Sequence, residues 1–162
     1  MTKLIKSDTM ILSSSVYLKQ ISGLLKIFLD RTCKWFHRPE LTCKPILIVS
    51  TTASSGLKRT TKYLESVIVQ WGAVPIGTIK RQVFNYDNPF SSKEIKILNN
   101  FIDFKIKDYI PSFYQITMFQ VQKVLANKII KMDKEFWYQK DWMNKAYYYE
   151  KSVPFYKKVY SK

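Results

Sequence analysis

The sequence predicts an α/β fold with a parallel sheet, because short apolar runs alternate with stretches of helical periodicity. Residues 9–13 (TMILS) and 45–50 (PILIVS) are continuous apolar runs bounded by polar residues, as buried parallel strands are. A third run, residues 73–79, follows the second helical stretch. This alternation favours parallel strands that are joined by right-handed crossovers.

Two amphipathic helices are predicted between these strands. The first carries a single apolar stripe at helical spacing, formed by Ile21, Leu24, Leu25, Phe28 and Leu29. The second repeats the spacing until Gly72 ends it, with Leu57, Thr61, Leu64, Ile68 and Trp71. Each stripe is suited to cover one face of a sheet.

Periodicity is lost in residues 81–92 (RQVFNYDNPFSS), where we predict a boundary. Residues 1–81 are predicted to form a partial α/β domain, and residues 82–162 a helical C-terminal extension that packs on it or on a partner subunit. Ser91 and Glu94 make a capping box for a helix whose expected apolar face consists of Ile95, Leu98, Ile102 and Tyr109. Pro111 then interrupts the helical pattern. Residues 112–132 predict a further helix with apolar groups on several sides, including Ile116, Phe119, Val124, Leu125 and Ile129.

The C-terminal extension is rich in aromatic residues interleaved with lysines. Ten of them follow Asp133: Phe136, Trp137, Tyr138, Trp142, Tyr147, Tyr148, Tyr149, Phe155, Tyr156 and Tyr160. Such a pattern can stack nucleic-acid bases or place a helix at a membrane surface. Tyr and Trp also pack a terminal segment against its own domain or a subunit interface, which is the interpretation we favour.

Composition excludes several classes of protein. The formal net charge is +15, but residues 1–79 carry +7 and residues 80–162 carry +8, so no basic block indicates a dedicated nucleic-acid face. No uncharged run reaches the ~20 residues that a membrane span needs, and the N-terminus lacks the pattern of a secretory signal. Two cysteines, Cys33 and Cys43, are too few for a zinc site or a disulfide framework. They fit a reducing environment, so we expect a cytoplasmic protein that binds no metal.

Two polar loops, residues 13–20 and 50–56, follow the first two predicted strands. Ligands of open α/β sheets bind outside the carboxyl ends of the strands, where these loops lie. Every crossover has such a loop, so position alone does not distinguish a binding site from a connection.

Three segments carry a resemblance to a known family: ILSSSVYLKQISGLLKIFLDRT, CKPILIVSTT and VQWGAVPIG. They resemble the flavodoxin-like NAD(P)H-dependent FMN reductases and the related iron-sulfur flavoproteins. The residues that match the family's pattern are Ser14, Val16, Tyr17, Ser22, Gly23, Lys26, Phe28, Asp30 and Arg31. Residues that resemble the C-terminal extension of some members are Pro111, Phe119, Asp133, Trp137, Trp142, Tyr147, Tyr148 and Tyr149. The resemblance implies a flavodoxin-like three-layer parallel sheet, here incomplete with about three strands.

The resemblance also implies a cofactor site. It places Ser15, Val16, Tyr17, Leu18, Lys19 and Gln20 against the ring and ribityl chain of FMN, and Thr51 and Thr52 opposite them. NAD(P)H would be the co-substrate, and no side chain would be a catalytic acid or base. Tyr17 is the best candidate for a ring contact, although it could equally close the loop onto the helix. Asp30 and Arg31 are interpreted as a structural pair or capping residues, and His37 as a loop residue.

The departures from the family pattern limit this expectation. The family's proline is Ser15 here, one glycine is Lys19, and the glycines after the next strand are replaced within residues 51–55. The Gly-Ser-rich phosphate loop of the family has no counterpart in this chain, which we therefore expect to be N-terminally truncated. FMN binding is then weak or absent in this chain alone unless another chain supplies that loop. The expected partners are a further copy in a homo-oligomer or a separately encoded N-terminal half. The alternatives are a basic, aromatic-rich module for nucleic acid or anionic membranes, and a non-catalytic self-associating subunit.

Overall fold

The computed structural model describes residues 1–128 and 131–149 and contains one sheet of three parallel strands. They are β1 (Met10–Ser15), β2 (Pro45–Thr52) and β3 (Val74–Gln82), in the spatial order β1-β2-β3. Ile11 of β1 lies opposite Leu47 of β2, which in turn lies opposite Gly77 of β3. The predicted parallel α/β sheet with three strands is confirmed.

Six α-helices are described. They are α1 (Thr2–Lys6), α2 (Gly23–Arg31), α3 (Leu57–Gln70), α4 (Ser92–Ile102), α5 (Phe113–Lys128) and α6 (Lys131–Gln139). The sequence analysis did not predict α1, whereas α2 and α3 confirm the two predicted amphipathic helices. Within the described part of the chain, no helix combines the length and apolarity needed to cross a membrane.

Helices cover the sheet on both faces, which gives three layers. On one face, Leu12, Ile46 and Ile48 pack with Leu29 of α2 and Leu64 of α3. On the other face, α4 packs against β2 and β3, in a cluster that contains Leu47, Val49, Ile76, Ile79, Ile97, Leu98 and Phe101. Although it follows the predicted boundary at residue 81, α4 therefore packs as a layer of the α/β sandwich. The division into two domains stays a prediction.

The strands extend further than their apolar runs. Ser14 and Ser15 belong to β1 and Thr51 and Thr52 to β2, whereas the sequence analysis placed all four in loops. Their hydroxyl groups do not interrupt the sheet, because buried ones are hydrogen bonded locally. The Ser14 hydroxyl, for example, donates to the Ser15 carbonyl over 2.9 Å.

Helix α4 confirms the predicted capping box but not the predicted apolar face. The Ser91 backbone N–H donates to the Glu94 carboxylate over 2.9 Å, and the Ser91 hydroxyl accepts from the Glu94 N–H over 3.3 Å. Ile102 is 75% exposed, and Ile97 instead packs on the sheet beside Leu98 and Phe101. The reason is Gly77, where an added Cβ would lie 2.7 Å from Ile97 Cγ2, so the glycine lets α4 approach β3 on that side.

Helices α5 and α6 and residues 140–149 build an aromatic cluster beside the amino ends of the strands. Its fully or nearly fully buried rings are Phe119, Trp137, Trp142, Tyr147 and Tyr148. These rings pack within the chain and are not available to stack bases or enter a membrane. Ile129, Phe155, Tyr156 and Tyr160, which also entered the predictions, lie outside the described residues.

Three side chains fasten the aromatic cluster to the α/β layer. The amide of buried Gln122 donates to the carbonyls of Phe36 and Gln70, and its oxygen accepts from the Tyr148 hydroxyl over 3.0 Å. Trp137 Nε1 donates to the His37 carbonyl over 2.7 Å. The Asp133 carboxylate, only 3% exposed, accepts from Arg38 Nε.

Candidate functional site

A cavity of about 480 Å³ opens at the carboxyl ends of the three strands. Three loops surround it: the first loop (residues 16–22), the second loop (53–56) and the third loop (83–91). The lining residues are Ser15, Val16, Tyr17, Thr51, Thr52, Ala53, Gln82, Val83, Tyr86 and Asp87. Five of the eight predicted site residues thus lie around one cavity, at the edge where the sequence placed them.

The first loop directs the other three predicted residues away from the cavity. Tyr17 and Gln20 exchange two backbone hydrogen bonds of 3.0 and 2.8 Å, which close a tight turn with Leu18 and Lys19 at its tip. Both tip residues have positive φ, +48° and +64°, as in the type I′ turns that normally use Asn or Gly. Leu18 is 98% exposed, and the amide N–H of Gln20 is occupied within the turn. Leu18, Lys19 and Gln20 therefore do not line the cavity.

Gly56 holds the first and second loops together. It has φ +100°, and a Cβ there would lie 2.8 Å from Val16 Cγ1 and 2.9 Å from Lys19 Cα. The Thr60 hydroxyl adds a long bond of 3.4 Å to the Lys19 carbonyl. The sequence analysis found no glycine within residues 51–55 that would allow a close backbone approach. Gly56, one residue later, allows it.

The hydroxyl groups of the two strands divide into structural and accessible ones. Ser14 Oγ is buried and accepts from the N–H of Ser22, the N-cap residue of α2, over 3.1 Å. Thr52 Oγ1 donates to the Ser55 carbonyl over 2.9 Å and so shapes the second loop. Ser15 Oγ and Thr51 Oγ1 bond each other over 3.1 Å at the exposed end of the strands. The Ser15 and Thr51 hydroxyls are therefore the accessible ones, and a ligand in the cavity can reach them.

The third loop contributes residues that the sequence analysis did not assign to the site. The Gln82 side chain donates to the Ser54 carbonyl over 2.8 Å, and the Gln82 N–H donates to Asn85 Oδ1 over 2.7 Å. These bonds join the third loop to the second and place Tyr86 at the cavity. The rule that ligands bind outside the carboxyl ends of parallel strands, if applied to the third strand as well, would have identified this loop.

The charges at this edge are mostly positive, although the lining itself contains a single charged group, Asp87. Arg81 pairs with Glu94 over 3.3 Å, and its guanidinium lies 5.1 Å from the centre of the Phe90 ring. Hydrogen bonds from the backbone and side chain of Ser91 hold the pKa of Glu94 below its usual value, so this ion pair is charged at neutral pH.

The remaining candidates lie away from the cavity. Asp30 pairs with Lys26 one helical turn earlier instead of with Arg31, and its carbonyl accepts from the N–H of Thr32, the C-cap residue of α2. His37 does have a carboxylate neighbour, because its Nδ1 lies 3.8 Å from Asp133, but both residues belong to the junction with the aromatic cluster. No group of His, Cys, Asp and Glu suited to hold a metal ion occurs in the described ranges.

Comparison with known proteins relates this chain to flavoproteins. An iron-sulfur flavoprotein from Archaeoglobus fulgidus is 34% identical over 73 residues, which are 44% of this chain and 33% of that protein. The chain therefore spans about a third of the length of this relative. A solved flavodoxin, a WrbA-like protein from Agrobacterium tumefaciens, aligns over 59% of this chain and 62% of its own with 20% identity and a TM-score of 0.42. The sequence profile of the NADPH-dependent FMN reductases matches residues 1–85, more than half of the chain, and the chain belongs to this family.

Proposed function

We propose that the cavity binds the ring system of FMN and that the protein takes part in flavin reduction by NAD(P)H. The observation that carries the proposal is the convergence of Ser15, Val16, Tyr17, Thr51 and Thr52 around one cavity at the carboxyl edge. Its volume of about 480 Å³ lies within the usual range of small-molecule sites, roughly 300–1,000 Å³. Family membership supports the same cofactor.

The residues present suit the flavin ring better than its phosphate. Tyr17 and Tyr86 offer aromatic faces, and the hydroxyls of Ser15 and Thr51 offer hydrogen bonds to the polar ring edge or the ribityl chain. The phosphate of FMN carries up to two negative charges, whereas the lining contains a carboxylate, Asp87, and no Lys or Arg. We infer that this chain alone holds the ring and leaves the phosphate weakly bound.

The chain's own residues would bind and orient the cofactor. FMN, when bound, supplies the hydride and electron transfer chemistry. The turn at Leu18 and Lys19 and the contact of Gly56 with Val16 fix the backbone on which Tyr17 is mounted. The Gln82 bond to the Ser54 carbonyl does the same for the loop that carries Tyr86. No acid or base from the protein is required.

Strand β1 is where another polypeptide would complete the site. Within the described ranges, β1 pairs only with β2, and its sequence MILSSS has neither charge nor proline. The opposite edge strand, β3, carries Pro75, Lys80 and Arg81, residues that block strand addition. We propose that a second polypeptide joins at β1 and provides the phosphate contacts.

A comparison of FMN with riboflavin tests the cofactor proposal. Both flavins are titrated with the purified chain, and binding is followed by quenching of flavin fluorescence. Charge-assisted bonds are worth about 1.5–3 kcal/mol each, so an anchored phosphate would favour FMN by a hundredfold or more. We expect the two dissociation constants to agree within about threefold, because the ring contacts dominate.

Variants locate the binding in the cavity. Tyr17→Ala and Tyr86→Ala should each weaken flavin binding by about tenfold, as the loss of one stacked ring does. Tyr138→Ala is the matched control, since Tyr138 is an exposed tyrosine on α6, away from the cavity. No quenching by either flavin at high micromolar concentration, or equal losses in all three variants, would refute the proposal. A strong preference for FMN would refute the weak phosphate contact alone.

A further inference from the structure

We propose that the loops around the cavity form a docking surface for an acidic protein. The surface, which we call the rim, consists of large apolar side chains from the first and third loops: Tyr17, Leu18, Val83, Phe84, Tyr86 and Phe90. All six are between 52% and 98% exposed. Tyr17, Val83 and Tyr86 also line the cavity, so the two loops face each other across one opening. Exposed apolar patches bordered by polar groups mark interaction sites.

Leu18 is the strongest single indication of a docking surface. It occupies the tip of the tight turn with φ +48° and is 98% exposed, so it contributes nothing to the core. A left-handed conformation is strained for a residue with a Cβ, and Asn or Gly normally occupies such positions. A strained, outward-pointing leucine has the properties of a contact residue, not of a packing residue.

The exposure of Leu18, Phe84 and Phe90 is also not explained by contact with a ligand in the cavity. None of the three is among its lining residues, although each lies in a loop that contributes to the lining. Phe84 is 74% exposed within a short turn that is held by the Gln82 and Asn85 capping bonds. Arg81 holds Phe90 in place by a cation–π contact of 5.1 Å. The rings are thus presented by ordered loops.

The charge around the rim selects an acidic partner. Residues 15–20, 53–59 and 80–94 contain six basic residues and two acidic ones, and Glu94 is already paired with Arg81. Five of the six basic residues are exposed: Lys19, Lys58, Arg59, Lys80 and Lys93. Lys58 and Arg59 lie in the first turn of α3, whose N-cap residue Gly56 contacts the first loop at Lys19. Complementary charge of this kind orients a partner and raises its association rate.

The arrangement fits a protein better than other polyanions. Protein interfaces have an apolar centre and a polar perimeter, and the loops of the rim likewise combine exposed aliphatic and aromatic side chains with exposed basic residues in or beside the same loops. Binders of single-stranded nucleic acid instead place cations along the groove between the stacking rings. Membrane-surface elements are amphipathic helices, whereas the rim is built from two loops. A second copy of this chain would bring another +15 charge to the same surface.

A selection experiment with a defined probe tests the inference. A phage-displayed library of random 12-residue peptides is selected on the immobilised full chain without flavin, and the enriched peptides are synthesised. We expect sequences that combine Asp or Glu with Leu, Phe or Trp. Their affinity should fall several-fold between 50 and 300 mM salt, because exposed charges are screened.

Three variants make the outcome specific. Leu18→Asn and Phe84→Ser should each weaken peptide binding at least tenfold. Asn suits the left-handed turn, so Leu18→Asn keeps or raises the thermal midpoint and its loss of binding is not unfolding. Ile110→Ser is the matched control, because Ile110 is 79% exposed and lies in the segment between α4 and α5, outside the rim.

Several results would overturn the inference. They are the absence of enrichment, enrichment of peptides without acidic residues, and equal binding by wild type, Leu18→Asn and Phe84→Ser. The same variants are tested with oligo-dT, with phosphatidylglycerol vesicles and by sedimentation velocity. Tighter binding of either probe, or self-association that Leu18→Asn abolishes, would assign the rim to that occupant instead. None of these measurements depends on flavin binding, so they stand apart from the cofactor test.

Discussion

Replacing Gln122 by Ala should cost a large part of the stability of the chain. Gln122 is 1% exposed, and its side chain satisfies two carbonyls, of Phe36 and Gln70, and one hydroxyl, of Tyr148. The Gln70 carbonyl belongs to the last turn of α3, where helices leave acceptors without intrahelical partners. Each buried group left unpaired costs about 1–3 kcal/mol, and relaxation recovers part of this. We expect a loss of about 2–4 kcal/mol in the free energy of unfolding.

Urea unfolding followed by tryptophan fluorescence measures this loss. Gln120→Ala is the matched control on the same helix, because its side chain makes a single bond to the Ala146 carbonyl at a partly buried position and should cost about 0.5–1.5 kcal/mol. Gln122→Met keeps the volume without the hydrogen bonds, so it should remain nearly as unstable as Gln122→Ala. Equal losses for Gln122→Ala and Gln120→Ala, or recovery of wild-type stability by Gln122→Met, would refute the reasoning.

Further predictions concern the glycines and the titrating groups. Gly56→Ala should lower the free energy of unfolding by about 1–3 kcal/mol and weaken flavin binding, because Gly56 has φ +100° and an added Cβ would enter the first loop. Gly23→Ala is the control, because an added Cβ at Gly23 has no atom within 4 Å and should leave urea unfolding unchanged. Burial raises the pKa of Cys43 to about 12, so at pH 8 a thiol reagent should modify one cysteine in the folded chain and two in urea. Because the pKa of Cys43 is higher in the folded chain than in the unfolded chain, the neutral thiol makes its full contribution to stability below the unfolded pKa. This contribution is lost as the pH rises toward 12. Hydrogen bonds from Ser91 lower the pKa of Glu94, so its contribution is present at neutral pH and lost on acidification below the ordinary glutamate pKa; Glu94→Gln should flatten that part of the stability profile.

The sheet and the first two loops were predictable because their signals are local. Uncharged runs such as PILIVS have few alternatives to a buried parallel strand, and the rule that ligands bind at carboxyl ends then locates the site. The ends of the strands were not predictable to the residue. Ser14 and Thr52 have the composition of a loop, and only their backbone pairing, Ser14 with Ser50 and Thr52 with Gln82, shows that they continue the strands.

Contacts between distant residues could not be predicted from one sequence. Arg38 meets Asp133 across 95 positions, and the Gln122 amide meets the Phe36 carbonyl across 86. No local pattern encodes these pairs, because each side chain by itself looks like a solvated polar residue. The predicted apolar face of α4 was wrong for the same reason, because the face that α4 turns toward the sheet depends on the close approach of Ile97 to Gly77.

The two ends of the sheet separate stability from binding. The bonds of Gln122 and Trp137 lie beside the amino ends of the strands, near Phe36, His37 and Gln70, while the cavity and the rim lie at the carboxyl ends. A change at one end reaches the other only through the strands themselves, which pair without interruption from residue 47 to residue 52 of β2. Gln122→Ala should therefore lower the urea midpoint while leaving the flavin and peptide dissociation constants of the folded fraction unchanged. Leu18→Asn should instead weaken peptide binding while leaving the urea midpoint unchanged or raised, and a variant pair that moved stability and binding together would contradict this separation.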